Sequence, residues 1–401
     1  MDRHRKLFIT ISGVLIMLCT GILYMWSVFQ PHVTAHHGWN PGTTSLTSSV
    51  MIACFALGNI TSGLLQTRIH PRFVALAGSV LFALGFYLTP LVNSDTPFML
   101  YLTYGIVGGF GCGLVYCAAL AALQKWYAAK MGFITGIAVG FFGLSVVILA
   151  PLVESLLNRV GLTGTFRILS LVFFVIPTVS SLFLKNPDKA YYYAEVTKAI
   201  KAENVRQFRP REMLKSPSYY YIILSTFTSS AAYMVIVPFI SSIAISRGMS
   251  TSLALAAVMC TGVGNSLGRI FAPMISDKIG RTSTLITCSL ISVLGCLLII
   301  PAKGVVYIAA VFIISLAYGG NGGTNPVITT ELFGARYSGV NYGFVLASMA
   351  LASIFFGRVS ASLSSGGDFT LVFIICAPVC IIPIIAMLRL RRRCKKLGKI
   401  I

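Results

Sequence analysis

The chain has 401 residues, 56% of them hydrophobic and only 10% charged, and its 31 basic side chains face 10 acidic ones for a formal net charge of +21. A soluble chain carries about a quarter charged residues, so a water-soluble enzyme is excluded. A disordered basic tail protein is excluded too, because the charges gather between long apolar runs, and the basic excess needs a membrane explanation before a nucleic-acid one.

Apolar stretches near twenty residues long are what about 30 Å of hydrocarbon demands at about 1.5 Å of helix rise per residue. Twelve are found, at 7–29, 44–66, 73–92, 98–124, 131–153, 164–185, 218–245, 252–275, 283–300, 304–326, 339–361 and 369–388. The first follows Arg3, Arg5 and Lys6 as a secretory signal would, but it is too long for a signal core and lacks a small-residue cleavage pattern, so it reads as a retained helix. Gly105, Gly109 and Gly113 in the fourth run, Gly132, Gly136 and Gly140 in the fifth and Gly264 and Gly268 in the eighth recur every four residues. Such stripes let helix backbones approach closely, either as plain packing or as surfaces that slide. The polar segment from Lys185 to Ser218 splits the runs six and six, and its stretch 189–208 mixes charges with Tyr, Ala, Val and Ile, as expected of an amphipathic interfacial helix. Pro31, Pro151, Pro238, Pro273 and Pro326 mark helix ends or kinks, and Gly319-Gly320-Asn321-Gly322-Gly323 predicts an irregular or gating stretch in the tenth run.

With the amino terminus in the cytoplasm, 25 of the 31 basic residues fall on that side, and only Arg159, Arg167, Arg247, Lys303 and Arg358 lie in or beside loops at the other. That bias fixes orientation. The expected placement is a multi-pass protein of the plasma membrane, the inner membrane of a bacterium, with both termini cytoplasmic. The run Arg391-Arg392-Arg393-Cys394-Lys395-Lys396 reads as a topology and anionic-lipid anchor; no basic domain interleaved with aromatics argues for nucleic acid. Nine of the ten cysteines sit inside apolar runs, where a thiol is a small hydrophobe, and neither a CxxC pair nor zinc spacing occurs. Cys376 and Cys380 stand one turn apart, with no carboxylate or imidazole beside them to complete a metal site. No metal, cofactor, P-loop, kinase or hydrolase signature is present, so no enzyme is expected.

Two six-helix halves, 1–185 and 218–401, joined by a linker at 186–217, make an all-α membrane protein laid out like transporters built from parallel repeats. Several motifs sharpen this. Ser276-Asp277-Lys278-Ile279-Gly280-Arg281 resembles the loop signature of the major facilitator superfamily; its counterpart at 63–72 is degraded, with Gln66 where an acid is expected. Tyr24-Met25-Trp26-Ser27-Val28-Phe29-Gln30-Pro31, Gly111-Cys112-Gly113-Leu114-Val115-Tyr116 with Lys125-Trp126-Tyr127, Thr135-Gly136-Ile137-Ala138-Val139-Gly140, Glu212-Met213-Leu214-Lys215-Ser216-Pro217, and Glu331-Leu332-Phe333-Gly334 with Asn341-Tyr342-Gly343 resemble the oxalate/formate antiporter family within it. The resemblance spans nearly the whole chain. It implies the twelve-helix major facilitator fold, alternating-access transport of small carboxylates without ATP, a gating loop at Asp277, Lys278, Gly280 and Arg281, and a functional monomer.

The residues themselves converge on Arg269, about 12 Å of helix before Asp277. An arginine at that depth either snorkels to the interface or faces the bundle interior, where its planar fork can take a carboxylate through two hydrogen bonds. Asn265, one turn earlier, shares its face. No acidic residue falls in the middle of a run; Glu154 and Glu331 stand near ends. The family resemblance points to Tyr24, Gln30, Tyr116 and Tyr318 as partners for a small anion, with Trp26 and Asn325 behind them, although any single tyrosine is as readily a packing residue. Together they read as a pocket for a two- to four-carbon acid.

One departure separates this chain from the family pattern. The oxalate-exchanging relatives carry a lysine in the eleventh run where counting from Asn341-Tyr342-Gly343 reaches Met349, and no Lys or Arg occurs between Arg336 and Arg358. With one interior cation, a doubly charged ligand leaves a net negative charge in low dielectric, so a monocarboxylate such as lactate, pyruvate or formate is expected over oxalate. All five histidines lie at ends or loops, so proton symport, which would have the substrate carry its own proton, exchange and facilitated diffusion stay open. A proton-driven drug exporter is the competing transporter; a membrane sensor lacks a signalling domain and a membrane enzyme lacks a catalytic pair.

Overall fold

In the computed structural model, residues 2–128, 131–188, 191, 207–334, 337–363 and 369–396 are described. The expected linker helix at 189–208 and the end of the basic tail fall outside them, apart from Tyr191, Gln207 and Phe208. Ten helices are long and apolar enough to cross a membrane, and a pair bent by 47° adds another. One of the ten, Met131–Phe183, would be about 80 Å long if straight. It breaks at Gly161, where φ is +69° and ψ is −176°, and doubles back: Lys125 Nζ donates to Asn186 Oδ1 at 3.0 Å and Trp126 Nε1 to Lys185 O at 2.7 Å, which puts its two ends side by side. It is therefore two crossings, and the total is the twelve expected.

We number them α1 to α12. α1 covers 2–37 and is broken: Asp2–Thr20, a 3-10 turn at Gly21–Tyr24, then Trp26–His37. α2 is Pro41–Leu65 and α3 is Pro71–Leu88. α4 covers 98–126 and contains a π-helical stretch at Tyr101–Gly108; α5 and α6 are 131–160 and 162–183. α7 covers 217–246 in three pieces, Pro217–Ser229, Ala231–Ile236 and Ile240–Ser246. α8 is Thr251–Ile279, α9 Arg281–Ile299, α10 Gly304–Phe333 and α11 Ser338–Leu363. α12 covers 370–396, as Thr370–Val379 and Ile382–Lys396. The first run thus reaches eight residues beyond its predicted end: a fresh helix starts after the break and continues through Pro31, its sixth residue, which has no N–H to give Ser27 O.

The halves meet along α2 against α11 and α5 against α8. Glycine makes these and the internal contacts possible. A Cβ on Gly113 would strike the carbonyl of Phe55 in α2, one on Gly109 would come within 2.5 Å of Met51 O, and one on Gly143 of α5 would strike Ser266 Oγ of α8. The Gly-rich stretch of the tenth run corrects the sequence reading: it is continuous helix, not an irregular gate. Its glycines are there for approach. A Cβ on Gly319 would collide with Asn265 O, one on Gly320 would lie 2.5 Å from Cys288 Sγ, and one on Gly323 would lie 2.7 Å from Arg269 O. Water-exposed glycine loosens a helix, but these backbones are clamped against α8.

Basic side chains crowd one end of the bundle, which we call the basic end. There the Arg72 guanidinium donates to Leu182 O near the carboxyl end of α6, satisfying a terminal carbonyl. Partial burial, then the charges of Arg72, Lys125 and Lys185, lower the pKa of His70 below its ordinary imidazole value. Phe208 N donates to Phe333 O at 2.8 Å and Asn341 Nδ2 to Phe208 O at 3.2 Å, so the linker ends pinned to the junction of α10 and α11.

Candidate functional site

Arg269 lies on α8 and turns inward. Nε donates to Asn265 Oδ1 at 2.8 Å, and Nη2 donates to Tyr24 OH at 3.3 Å, across the boundary between halves. Its carbon Cζ is 6.0 Å from the ring centre of Phe142 on α5, close enough for a cation–π attraction. On the other side it packs on α10: a Cβ on Gly322 would stand 3.2 Å from Cζ. The snorkelling alternative is thereby set aside, since every contact is with the bundle interior. Among the described residues, the ion pairs join His32 to Glu154 and Arg281 to Asp277 and Glu331, and none involves Arg269. Its electrostatic neighbours are the phenols of Tyr24, Tyr116, Tyr318 and Tyr342.

Tyr24 reaches this position because the 3-10 turn of α1 ends on it, and its hydroxyl lies 3.4 Å from Tyr318 OH on α10. Three rings meet its edge or face: Phe142 at 5.4 Å, Tyr233 at 5.7 Å and Tyr318 at 6.3 Å. Tyr233 and Tyr318 stack in parallel at 4.0 Å. Tyr318 OH donates to Met349 Sδ at 3.6 Å, so Met349 of α11 does stand at this cluster and brings no charge to it. Tyr116 of α4 packs edge-on against Phe142 at 4.9 Å and Phe55 at 5.1 Å.

Of the residues singled out from sequence, Arg269, Asn265, Tyr24, Tyr116 and Tyr318 come together. Gln30 does not. It is six residues beyond Tyr24 on the far side of the helix break, where Nε2 donates to Thr44 Oγ1 at 3.4 Å and Oε1 accepts from Ser242 at 3.3 Å. Its place is in the seam joining α1 to α7 at the end opposite the basic one. Trp26 is buried against Tyr104 at 4.9 Å, away from Arg269, while Asn325 borders the cavity beside Tyr318. Sequence reasoning missed Tyr233, Phe142, Tyr342 and Gly322. Their helices were identified, but nothing local marks a tyrosine or glycine as facing a residue on another helix.

The expected gating loop is built around Arg281. Nη1 pairs with Asp277 at 2.5 Å, Nη2 and Nε reach Glu331 Oε1 at 2.6 and 2.9 Å, and the guanidinium also meets Ser276 Oγ. This clasp ties the ends of α8, α9 and α10, with Gly280 at φ +91° making the sharp connection only a glycine accepts freely. Lys278 is exposed.

Packing around Arg269 differs between the two ends of the bundle. Trp26 through Gln30 and Tyr233 through Val237 are all buried, and besides the Ser242–Gln30 bond, Ser353 Oγ donates to Ser49 O across the halves at 3.1 Å. Toward the basic end, a Cβ added to Gly63 or Gly136 would meet open space, and Ile270, Pro273, Gly323 and Pro326 are half-buried. A cavity of about 280 Å³ between Lys215, Phe333 and Arg393 lies at the basic surface of the second half and does not reach the Arg269 cluster. Among the described residues no group of three or more His, Cys, Asp or Glu side chains is placed to hold a metal.

Comparison with known proteins follows the same lines. The sequence matches the profile of the Major Facilitator Superfamily over residues 9–357 and again over 222–399. It is 24% identical over 377 residues to the oxalate:formate antiporter of Oxalobacter formigenes, covering 93% of this chain and 88% of that one. Over 403 residues it is 23% identical to human monocarboxylate transporter 12, covering 92% and 75%. The fold superposes on the partially occluded inward open conformation of the xylose transporter XylE from E. coli with a TM-score of 0.73 at 16% identity, over 96% of this chain and 99% of that one.

Proposed function

This chain belongs to the major facilitator superfamily, and we propose that within it the protein carries a small monocarboxylate by alternating access, the substrate's carboxylate pairing with Arg269. The observation that carries this reading is a guanidinium held by Asn265 and Tyr24 with no carboxylate partner among the described residues. Asn265 and Tyr24 fix the plane of the fork and leave nitrogen donors for an anion arriving from the basic end. The phenols around it stabilise a carboxylate by hydrogen bonding and add no charge. Because α8 brings Arg269 and α1 brings Tyr24, a bound anion draws on both halves at once, which is what a cargo must do if its binding is to favour their closing.

The charge count chooses between monocarboxylate and oxalate. Met349 at the wall supplies a thioether where a second cation would be needed to neutralise a dianion. Exchange of oxalate for formate is the alternative, drawn from the named activity of the Oxalobacter relative. We place the basic end at the cytoplasm from the Lys and Arg asymmetry, facing anionic lipid.

Uptake of labelled lactate, formate and oxalate into proteoliposomes, with wild type and Arg269→Ala, tests the proposal. Lactate or formate uptake is expected in wild type, with a loss of at least about a hundredfold in the variant, as truncation of one partner of a buried charge pair predicts. Equal uptake by both proteins would remove Arg269 from the mechanism, and strong oxalate counterflow would overturn the charge count.

A further inference from the structure

Beside the guanidinium, α7, α10 and α11 enclose a cavity of about 10 Å³, room for about one water molecule or one hydroxyl-sized group. It adjoins the Arg269 cluster through Tyr318 and Gly322, and its polar wall also includes Thr226, Ser230, Asn321 and Asn325. Most hydrogens of this wall are already committed. Thr226 Oγ1 donates to Ile222 O at 2.9 Å, Ser230 Oγ to Thr226 O at 2.7 Å and Tyr318 OH to Met349 Sδ at 3.6 Å. Asn321 Nδ2 donates to Ala317 O at 3.1 Å, and that carbonyl partner settles which end of the amide is nitrogen. It leaves Asn321 Oδ1, in a side chain only 4% exposed, with no donor among the described residues. The wall's other hydrogen sources are the amide of Asn325, the phenol of Tyr342 and the second amide hydrogen of Asn321, and no bond from any of them to Asn321 Oδ1 is present among the described residues.

We propose that this cavity is a hydroxyl subsite, in which a 2-hydroxy acid held by its carboxylate on Arg269 donates its hydroxyl hydrogen to Asn321 Oδ1. The inference rests on the carboxylate reading of Arg269 and refines its substrate class. A 2-oxo acid presents a carbonyl, which only accepts and so leaves Asn321 Oδ1 without a donor. An unsubstituted acid leaves Asn321 Oδ1 buried and unmatched. A 2-amino acid would bring a second positive charge beside the guanidinium, and a second carboxylate would bring an acceptor and an uncompensated charge. A neutral donor of one heavy atom matches both the chemistry and the volume.

Lactate, pyruvate, propionate and 2-fluoropropionate share a three-carbon skeleton and differ in what they offer at this position. Their uptake into proteoliposomes with wild type, Asn321→Leu and Arg269→Gln tests the subsite. Wild type is expected to take lactate about tenfold better than each of the other three, as a site built for a hydroxyl rejects an analogue lacking it. Asn321→Leu is expected to keep pyruvate and propionate uptake while the lactate preference falls below about twofold. A wild-type preference near one, or an unchanged preference in Asn321→Leu, overturns the subsite. Should that variant carry none of the acids, the wild-type ratio of lactate to 2-fluoropropionate decides alone, since fluorine fills the same space and donates nothing. A wild type that does not discriminate among the four acids, with uptake still dependent on Arg269, sinks the subsite only; uptake untouched by Arg269→Gln sinks the carboxylate reading beneath it.

Discussion

A guanidinium at the middle of a membrane helix costs about 2.5–3.5 kcal/mol for insertion, and Arg269 recovers part of that through Asn265, Tyr24 and the face of Phe142. Neutral partners leave its charge uncompensated, and on the proposed carboxylate reading this would make the site selective by charge number. The corollary concerns Met349, whose sulfur already touches Tyr318. Met349→Lys places a second cation within the same cluster, and it is expected to shift preference from monocarboxylate to oxalate by at least about tenfold, read as the ratio of initial uptake rates in proteoliposomes. A variant that folds, transports lactate as before and ignores oxalate would show that charge number does not set selectivity here. Asn265 was readable from sequence because one helical turn is a local relation. Tyr24, Tyr116 and Tyr318 were reached through motif resemblance, and Gln30, in the same motif as Tyr24, was misplaced because the break between them turns the helix.

At the level of helices, hydropathy alone found all twelve crossings, because length and polarity are properties of a stretch of chain. Breaks and contacts were less legible. The doubling at Gly161 matched the gap between the fifth and sixth runs, whereas the Gly-rich part of α10 looked loose and proved tightly packed, since only the neighbouring helix reveals why the side chains are missing. The same distinction yields a prediction from two glycines in superficially identical stripes. Gly113→Ala drives a methyl into the Phe55 carbonyl and is expected to cost about 1–3 kcal/mol, seen as a lowered Tm in detergent. Gly136→Ala enters open space and is expected to leave Tm within about a degree of wild type. Equal losses would mean that both stripes are packing surfaces in the resting protein.

For the molecule as a whole, the stretches at 26–30 and 233–237 on one side of the Arg269 cluster are buried throughout, while Ile270, Pro273, Gly323 and Pro326 toward the basic end are half-buried. Among the described residues no carboxyl or imidazole contacts Arg269; Glu154 is occupied with His32 at 3.8 Å and Glu331 with Arg281. Exchange of a fully ionised monocarboxylate is therefore expected to vary less than about twofold between about pH 6 and about pH 8, measured as counterflow with equal pH on both sides. A steep rise on acidification would reveal a titrating group on the path. The buried side has a particular construction: the first helix of each half is already severed there, α1 after Tyr24 and α7 between Ile236 and Ile240. The short pieces beyond those cuts pack against each other, and Ser242 Oγ of one donates to Gln30 Oε1 of the other at 3.3 Å. On the alternating-access reading proposed above, unsealing that side would need two short pieces to swing at existing breaks and no long rod to be pried loose, and the phenol bonded to the guanidinium stands at one of those breaks.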